Sequence, residues 1–212
     1  MTPKRLFQIM SFSLILIVTL TIAVLPAGAA PAPALPEFDS FVAAVKSGEP
    51  GIARGLYVDD QFALKVAQQP KDNPAFVSTK PDILTEFRYA RQQGNVGLLA
   101  HNYLAGQYFS QIEINQVIYV VFGDGKFEAF KVTNIYRYQA VSPESPYSDL
   151  IDLATAKKSN VETIFKRIYT GSHHLVLQTC INQDGNSSWG RLFIIAEPFT
   201  SSRAFGENAL AR

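Results

Sequence analysis

The sequence predicts a mainly β protein that closes, or nearly closes, into a barrel with a few short helices on its periphery. Three observations predict this fold. The 15 Phe and 9 Tyr fall mostly in short segments that are also rich in Val and Ile, a composition typical of strands. Apolar residues alternate with a period of two or form runs of strand length, separated by tight turns such as Asp124-Gly125. The chain has no internal repeat, so a single core is expected.

The composition excludes several classes of protein. Of the 212 residues, 47% are hydrophobic and 17% charged, which is typical of a globular chain rather than a disordered one. The net charge is +1 and no basic run follows the N-terminus, so nucleic acid is not expected as a partner. The sequence contains no Gly-rich phosphate loop, HExxH or CxxC motif, and we therefore predict neither a cofactor nor a metal.

Residues 1–29 have the pattern of a secretory signal peptide. Lys4 and Arg5 precede an apolar stretch, and residues 27–29 form a small-x-small cleavage site. The alternative is a retained membrane anchor, because residues 6–25 approach the ~20 apolar residues that span a bilayer. In both cases the protein is expected to be exported and to work extracellularly or at the cell surface.

Residues 30–50 are predicted to form a Pro/Ala-rich linker followed by an N-terminal helix. Gly48 ends this helix. Its apolar residues recur at helical spacing and are Phe38, Phe41, Val42 and Val45.

Residues 51–198 are expected to form the barrel domain, and residues 199–212 a flexible tail. Helices are predicted over 82–92 and around 161–168, the second with Ser159 and Glu162 as a capping box. The polar connection 142–171 is the longest of the chain, and long connections inside compact domains are often functional. The predicted strands cover 56–58, 62–66, 97–100, 117–122, 127–138, 175–180 and 191–196.

The only cysteine, Cys180, ends an apolar strand, and two further reactive side chains stand at strand ends. Arg191 opens the next strand 11 residues later, and His101 follows an apolar run 79 residues earlier. In an exported protein a lone cysteine is a buried inert thiol, an intermolecular link or a reactive nucleophile. The neighbouring residue types favour a nucleophile, because an imidazole can hold the thiol proton and an arginine can stabilise an oxyanion.

The segment Val176-Leu177-Gln178-Thr179-Cys180 resembles the T-L-x-T-C motif of sortases, the cysteine transpeptidases of bacterial cell surfaces. It matches at Leu, Thr and Cys but has Val at the first position, which is expected to alter substrate choice. Arg191 and His101 stand in the order and spacing of the family's arginine and histidine. The resemblance covers roughly residues 56–198 and implies an eight-stranded closed β-barrel.

The same resemblance implies a mechanism and partners. Cys180 would form a thioacyl intermediate with an LPXTG-like sorting signal, His101 would be the general acid/base, and Arg191 would hold the scissile carbonyl. Thr179 and Asn102 are expected to bind substrate, and the 142–171 connection to help form the groove. The implied partners are surface proteins with a C-terminal sorting signal and an amine of cell wall or pilin.

Other interpretations of these residues remain open. His173 or His174 could replace His101 as the base, although neighbours in a strand face opposite ways and make a poor metal pair. Arg191 could form a salt bridge on the barrel rim. A thiol hydrolase that cleaves without transfer, or a non-enzymatic surface-binding barrel, would also fit the fold.

Overall fold

The structure is a computed structural model that describes residues 35–201. Within that range the chain forms one sheet of ten strands with helices around it. The helices are α1 (Phe38–Val45), α2 (Arg88–Gln92), α3 (Val161–Tyr169) and a 3-10 helix over Ala105–Gln111. The strands are β1 (Ala53–Val58), β2 (Phe62–Gln68), β3 (Ile83–Glu86), β4 (Val96–Leu99), β5 (Val117–Phe122), β6 (Phe127–Ala140), β7 (Leu150–Asp152), β8 (Lys158–Ser159), β9 (Leu175–Gln183) and β10 (Asn186–Pro198).

Eight of these strands close into a barrel. The hydrogen-bonded order is β10-β9-β4-β3-β2-β1-β5-β6, and β6 pairs again with β10. The short strands β7 and β8 continue the sheet beyond β6. The predicted closed eight-stranded barrel is therefore confirmed, as are the seven strands and helix α1 predicted from the sequence.

Strand β9 has an apolar core on each of its two faces. Leu175 and Leu177 face the barrel interior, while Val176 packs outside the barrel in a cluster with Ile168 of α3 and Phe193 of β10. Val176, Leu175 and Leu177 are all 0% exposed. Burying one such side chain stabilises the fold by roughly 1.5–3 kcal/mol, and a one-residue slip would exchange the two faces. The register of β9 is therefore strongly fixed.

The long polar connection folds over the outer face of β9 and β10. Its strand β7 and helix α3 bury Leu150, Ile164 and Tyr169 against that face. Helix α3 begins at a side-chain cap in which Asn160 Oδ1 accepts a hydrogen bond from the Thr163 amide at 2.8 Å. The predicted cap at Ser159 is wrong, because Ser159 is the last residue of β8 and pairs with β7.

The predicted helix over residues 82–92 is half wrong. Its first part is strand β3, and only Arg88–Gln92 is helical. Strand β3 pairs with β2 on one side and with β4 on the other, and Leu84 lies in the barrel interior. Two partner strands, and the burial of three of the four β3 residues, outweigh the local helical pattern.

Several predictions fall wholly or partly outside the described residues. The signal peptide or anchor over residues 1–29, and the membrane anchoring through 6–25, lie there. Of the predicted tail, Phe199 is still held to β6, since its amide donates to the Ala129 carbonyl at 2.8 Å. Among residues 35–201, no helix has the length and apolarity needed to cross a membrane.

A charged pair at the start of β9 predicts a pH-dependent stability. His173 Nδ1 lies 2.7 Å from the Gly94 carbonyl and His173 Nε2 lies 2.9 Å from the Glu128 carboxylate. Burial lowers the pKa of His173, but the hydrogen bonds to Glu128 and Gly94 and the charge of Glu128 together raise it above its usual value. A raised folded-state pKa adds stability that is complete below the unfolded pKa and disappears as pH rises through the folded pKa.

We therefore expect His173→Gln to reduce the free energy of unfolding more at about pH 5 than at about pH 9. Urea unfolding across this range measures the difference. Glu128→Gln should remove the same pH-dependent part, because it deletes the partner of the imidazolium. A His173→Gln effect that is equal at both pH values would contradict the assignment.

Candidate active site

Cys180 and Arg191 lie directly opposite each other on neighbouring strands. They are register partners in the antiparallel pair of β9 and β10, so their side chains share one face of the sheet at a Cα separation of about 4.5–5.5 Å. This is the outer face, because Val176 and Phe193, on the same faces of their strands, pack outside the barrel. The thiol of Cys180 is half-buried.

His101 comes to the other side of Cys180 through the parallel pairing of β4 with β9. Leu99 is the register partner of Gln178, and the Ala100 amide donates to the Gln178 carbonyl at 3.1 Å. The same register continued by two residues points His101 toward Cys180, although β4 itself ends at Leu99. The fold thus sets Cys180 opposite Arg191 and brings His101, just after the end of β4, to the part of β9 that carries Cys180.

The chain turns sharply after His101, and this turn is tied to β9. The amides of Leu104 and Gly106 both donate to the His101 carbonyl at 3.0 Å. Thr179 Oγ1 is buried and donates to the Ala100 carbonyl at 2.8 Å. The Thr179 hydroxyl therefore positions the strand that carries His101, and its predicted contact with substrate stays a prediction.

Asn102 ties the same turn to the start of β10. Its Nδ2 donates to the Ser187 carbonyl at 2.9 Å. The next residue, Tyr103, stacks on the imidazole of His101, with ring centroids 5.3 Å apart and an interplanar angle of 23°. No motif in the sequence pointed to Tyr103. The substrate-binding role predicted for Asn102 stays a prediction, beside the structural role that its hydrogen bond gives it.

Arg191 is held by main-chain carbonyls. Its Nη1 donates to the carbonyls of Ser188 at 2.7 Å and Gly190 at 2.9 Å, and its Nη2 donates to the Pro143 carbonyl at 3.2 Å. The contact with Pro143 joins β10 to the start of the long connection. A rim salt bridge, considered from the sequence, is thus not what holds this guanidinium.

The pKa of the Cys180 thiol is raised. Burial raises it most, the charge of Arg191 lowers it, and the carboxylate of Glu144 raises it again. A thiol with a raised pKa is protonated at neutral pH, and the thiolate is the nucleophile. Chemistry at Cys180 therefore requires a base within reach, and His101 is the imidazole that the fold sets beside it.

The two other histidines, which directly precede β9, lie too far from Cys180 to be that base. His174 precedes Cys180 by six residues, which is about 20 Å along a strand. Its ring nitrogens contact the carbonyls of Ser172 and Ile168, each at 2.7 Å, and both ring nitrogens of His173 are also occupied. Two hollows of about 540 and 500 Å³ border His173, and Cys180 lines neither of them.

Two smaller hollows flank the site. One, of about 420 Å³, is bordered by Cys180, Arg137 and Trp189. The other, of about 160 Å³, is bordered by Arg191 and Gln178 and by the long connection. An extended ligand that reached Cys180 could place side chains in both. Within residues 35–201, no group of three or more metal-ligating side chains could hold a metal ion.

No protein-family model matches the sequence, and no curated protein is similar to it. The solved structures similar to this chain include sortases. Sortase A from Listeria monocytogenes is 14% identical over 70% of this chain and 88% of that chain, with a TM-score of 0.45. Sortase C-1 from Actinomyces oris is 14% identical over 82% and 91%, also with a TM-score of 0.45. Clostridium perfringens sortase C with the C-terminal cell wall sorting motif is 15% identical over 74% of each chain, with a TM-score of 0.41.

Gly106 allows the turn after His101 to approach β9. A Cβ at this position would lie 2.7 Å from the His101 carbonyl oxygen and would also overlap Thr179 Oγ1. We expect Gly106→Ala to cost about 1–3 kcal/mol of stability, as overpacking typically does, and to slow any reaction that needs His101. Urea unfolding measures the cost. Gln107→Ala, an exposed change on the same 3-10 helix, is the control, and equal stability of the two variants would contradict the expectation.

The charge of Glu144 is expected to keep the Cys180 thiol protonated. Removing its charge with Glu144→Gln should lower the pKa of Cys180, because the carboxylate is one of the groups that raise it. The rate of Cys180 alkylation against pH should shift to lower pH, by an amount that shrinks in high salt because Glu144 is exposed. Glu113→Gln, an exposed change elsewhere, should leave the profile as in the wild type. A Glu144→Gln profile that does not move would contradict the effect.

Proposed function

We propose that this protein is a sortase-like cysteine transpeptidase. The observation that carries the proposal is the position of Cys180 opposite Arg191, with His101 directly after the strand that pairs with β9. Cys180 borders one hollow and Arg191 borders another. The raised pKa of the thiol supports the need for the adjacent imidazole, and the permanently charged guanidinium supports a role beside a developing oxyanion.

In the first half of the proposed reaction, His101 takes the thiol proton as Cys180 Sγ attacks the scissile carbonyl carbon. The carbonyl electrons move onto oxygen, and Arg191 stabilises the resulting oxyanion. When the intermediate collapses, the peptide C–N bond breaks and His101 gives its proton to the leaving amine. The product is a thioester between Cys180 and the N-terminal part of the substrate.

In the second half, an acceptor amine attacks the thioester carbonyl. His101 takes the amine proton, the C–S bond breaks, and the proton returns to the Cys180 thiolate. A new amide joins substrate and acceptor, so the reaction needs neither cofactor nor oxidant. Water in place of the amine would give hydrolysis, which is the competing activity of the same site.

The proposed substrates are surface proteins with an LPXTG-like C-terminal sorting signal, and the proposed acceptor is an amine of cell wall or pilin. The export signal predicted from the sequence of residues 1–29 supports work at the cell surface, whether that segment is cleaved or is retained as an anchor.

Peptide cleavage by purified protein tests the proposal. Cys180→Ala should abolish cleavage of sorting-signal peptides, and His101→Ala should lower kcat/KM by about 10²- to 10⁴-fold, as loss of a general acid/base does. Arg191→Lys keeps the charge but loses the fork of donors, so it should lower kcat more than it changes KM.

Mass spectrometry of the products, with and without an added amine, separates transfer from hydrolysis. A transfer product that grows with amine concentration is expected. Cleavage that persists in Cys180→Ala would refute the proposal. Cleavage without any transfer product at high amine would assign the site to a hydrolase, and an unreactive Cys180 in the folded protein would indicate a non-enzymatic barrel.

A further inference from the structure

The hollow of about 160 Å³ beside Arg191 has a mixed lining. Pro146, Leu150, Val161 and Phe165 form its apolar walls, and Ser145, Ser148, Gln178 and Arg191 are its polar ones. The two serine hydroxyls are already hydrogen-bonded to the main chain of the long connection, which leaves Gln178 and Arg191 as the polar groups on the strand side. A cavity of about 150 Å³ can hold a molecule the size of benzene. The hollow therefore has room for one side chain of a ligand and no more.

Gln178 is the side chain next to the thiol on the same face of β9. It precedes Cys180 by two residues, which is about 7 Å along the strand. Its register partner on β10 is Phe193, and the partner of Cys180 is Arg191. A peptide lying along β9 with its reacting carbonyl at Cys180 would therefore bring a neighbouring side chain to Gln178.

A buried tyrosine fixes the orientation of the Gln178 amide. Tyr169 of α3 donates its hydroxyl proton to Gln178 Oε1. Tyr169 is 0% exposed, and burial raises its pKa far above the usual value, so the hydroxyl stays a donor. Because Oε1 is engaged by Tyr169, the Nε2 amide, which carries two N–H donors, is the end of the side chain left for a ligand.

Arg191 borders the same hollow. Both polar groups at its strand side are thus hydrogen-bond donors, one neutral and one positively charged. Arg191 already donates to three main-chain carbonyls, so a bound side chain with an acceptor at its tip would accept from the Gln178 amide. An ammonium or guanidinium group would be repelled by the charge of Arg191. An aliphatic side chain of the same size would fill the space but leave the Gln178 donor without a partner.

We propose that this hollow is a specificity subsite for a substrate side chain that has a short apolar stem and a carbonyl oxygen at its tip, such as asparagine or glutamine. Gln178 is the residue that selects it, and Tyr169 is a positioning residue that orients the Gln178 amide. The proposal rests on the proposed peptide substrate, and it predicts a sorting signal that is polar at one position where a fully aliphatic pocket would favour leucine.

Leucine and asparagine are nearly equal in size, so exchanging them isolates the hydrogen bond. The experiment uses LPXTG-like peptides in which each position before the scissile bond carries in turn Leu or Asn. We measure kcat/KM for the full chain and for Gln178→Leu, Tyr169→Phe and Gln92→Leu. The last variant makes the same chemical change at an exposed position of α2, and urea unfolding confirms that each variant is folded.

At one position the wild type should prefer Asn over Leu by about tenfold, the factor that one hydrogen bond of ~1.4 kcal/mol provides. Gln178→Leu should abolish or reverse this preference, and Gln92→Leu should keep it. Tyr169→Phe should weaken it, because the amide is then free to turn.

Two outcomes would overturn the inference, and they are distinct. If Cys180-dependent cleavage occurs but no position prefers Asn, or if the preference survives in Gln178→Leu, the subsite assignment is wrong while the transpeptidase proposal stands. If no peptide is cleaved in a Cys180-dependent manner, the proposed function fails and the subsite fails with it.

Discussion

The parallel pairing of β4 with β9 is the constraint on which the whole site depends. His101 and Cys180 are 79 residues apart in sequence, and this pairing brings the end of β4, directly before His101, to the part of β9 that carries Cys180. Leu98 and Leu177, both 0% exposed, hold the two strands from the barrel interior. Thr179 adds a buried hydrogen bond at the end of β4. A slip of one residue would turn the thiol toward the interior, so the same contacts that make the barrel also set the geometry of the candidate site.

The surroundings of Cys180 favour the protonated thiol over the thiolate, so the thiol needs a base before it can react. Burial and Glu144 favour the neutral thiol, and Arg191 favours the thiolate. Arg191 also joins β10 to the long connection through the Pro143 carbonyl. One guanidinium thus serves the electrostatics of the site and the position of one of its walls. A ligand that hydrogen-bonds this guanidinium would compete with the Pro143 carbonyl for its donors. Binding would then be linked to the conformation of the long connection.

The sequence predicted those parts of the fold that depend on local pattern. The apolar runs of β5 and β9 and the alternation in β2 were sufficient to place strands, and the residues around Cys180 were sufficient to suggest a site. Prediction from the sequence failed where contacts between residues far apart in the chain determine the secondary structure. Residues 83–86 have a helical pattern but are a strand because β2 and β4 bind them on both sides. The stack of Tyr103 on His101 and the contact of Tyr169 with Gln178 join residues whose proximity only the folded chain creates.

The closure of the barrel also leaves the sheet few edges at which a second molecule could pair. Exposed strand edges are templates for pairing with strands of other molecules. In the described residues, the free end of the sheet is β8, which is only two residues long. It carries Lys158, whose ammonium lies 3.0 Å from Asp149, and a short charged edge is a poor template for a second strand. Over residues 35–201, a chain rich in apolar β-strands therefore offers a neighbouring molecule only a short, charged strand at the free end of its sheet.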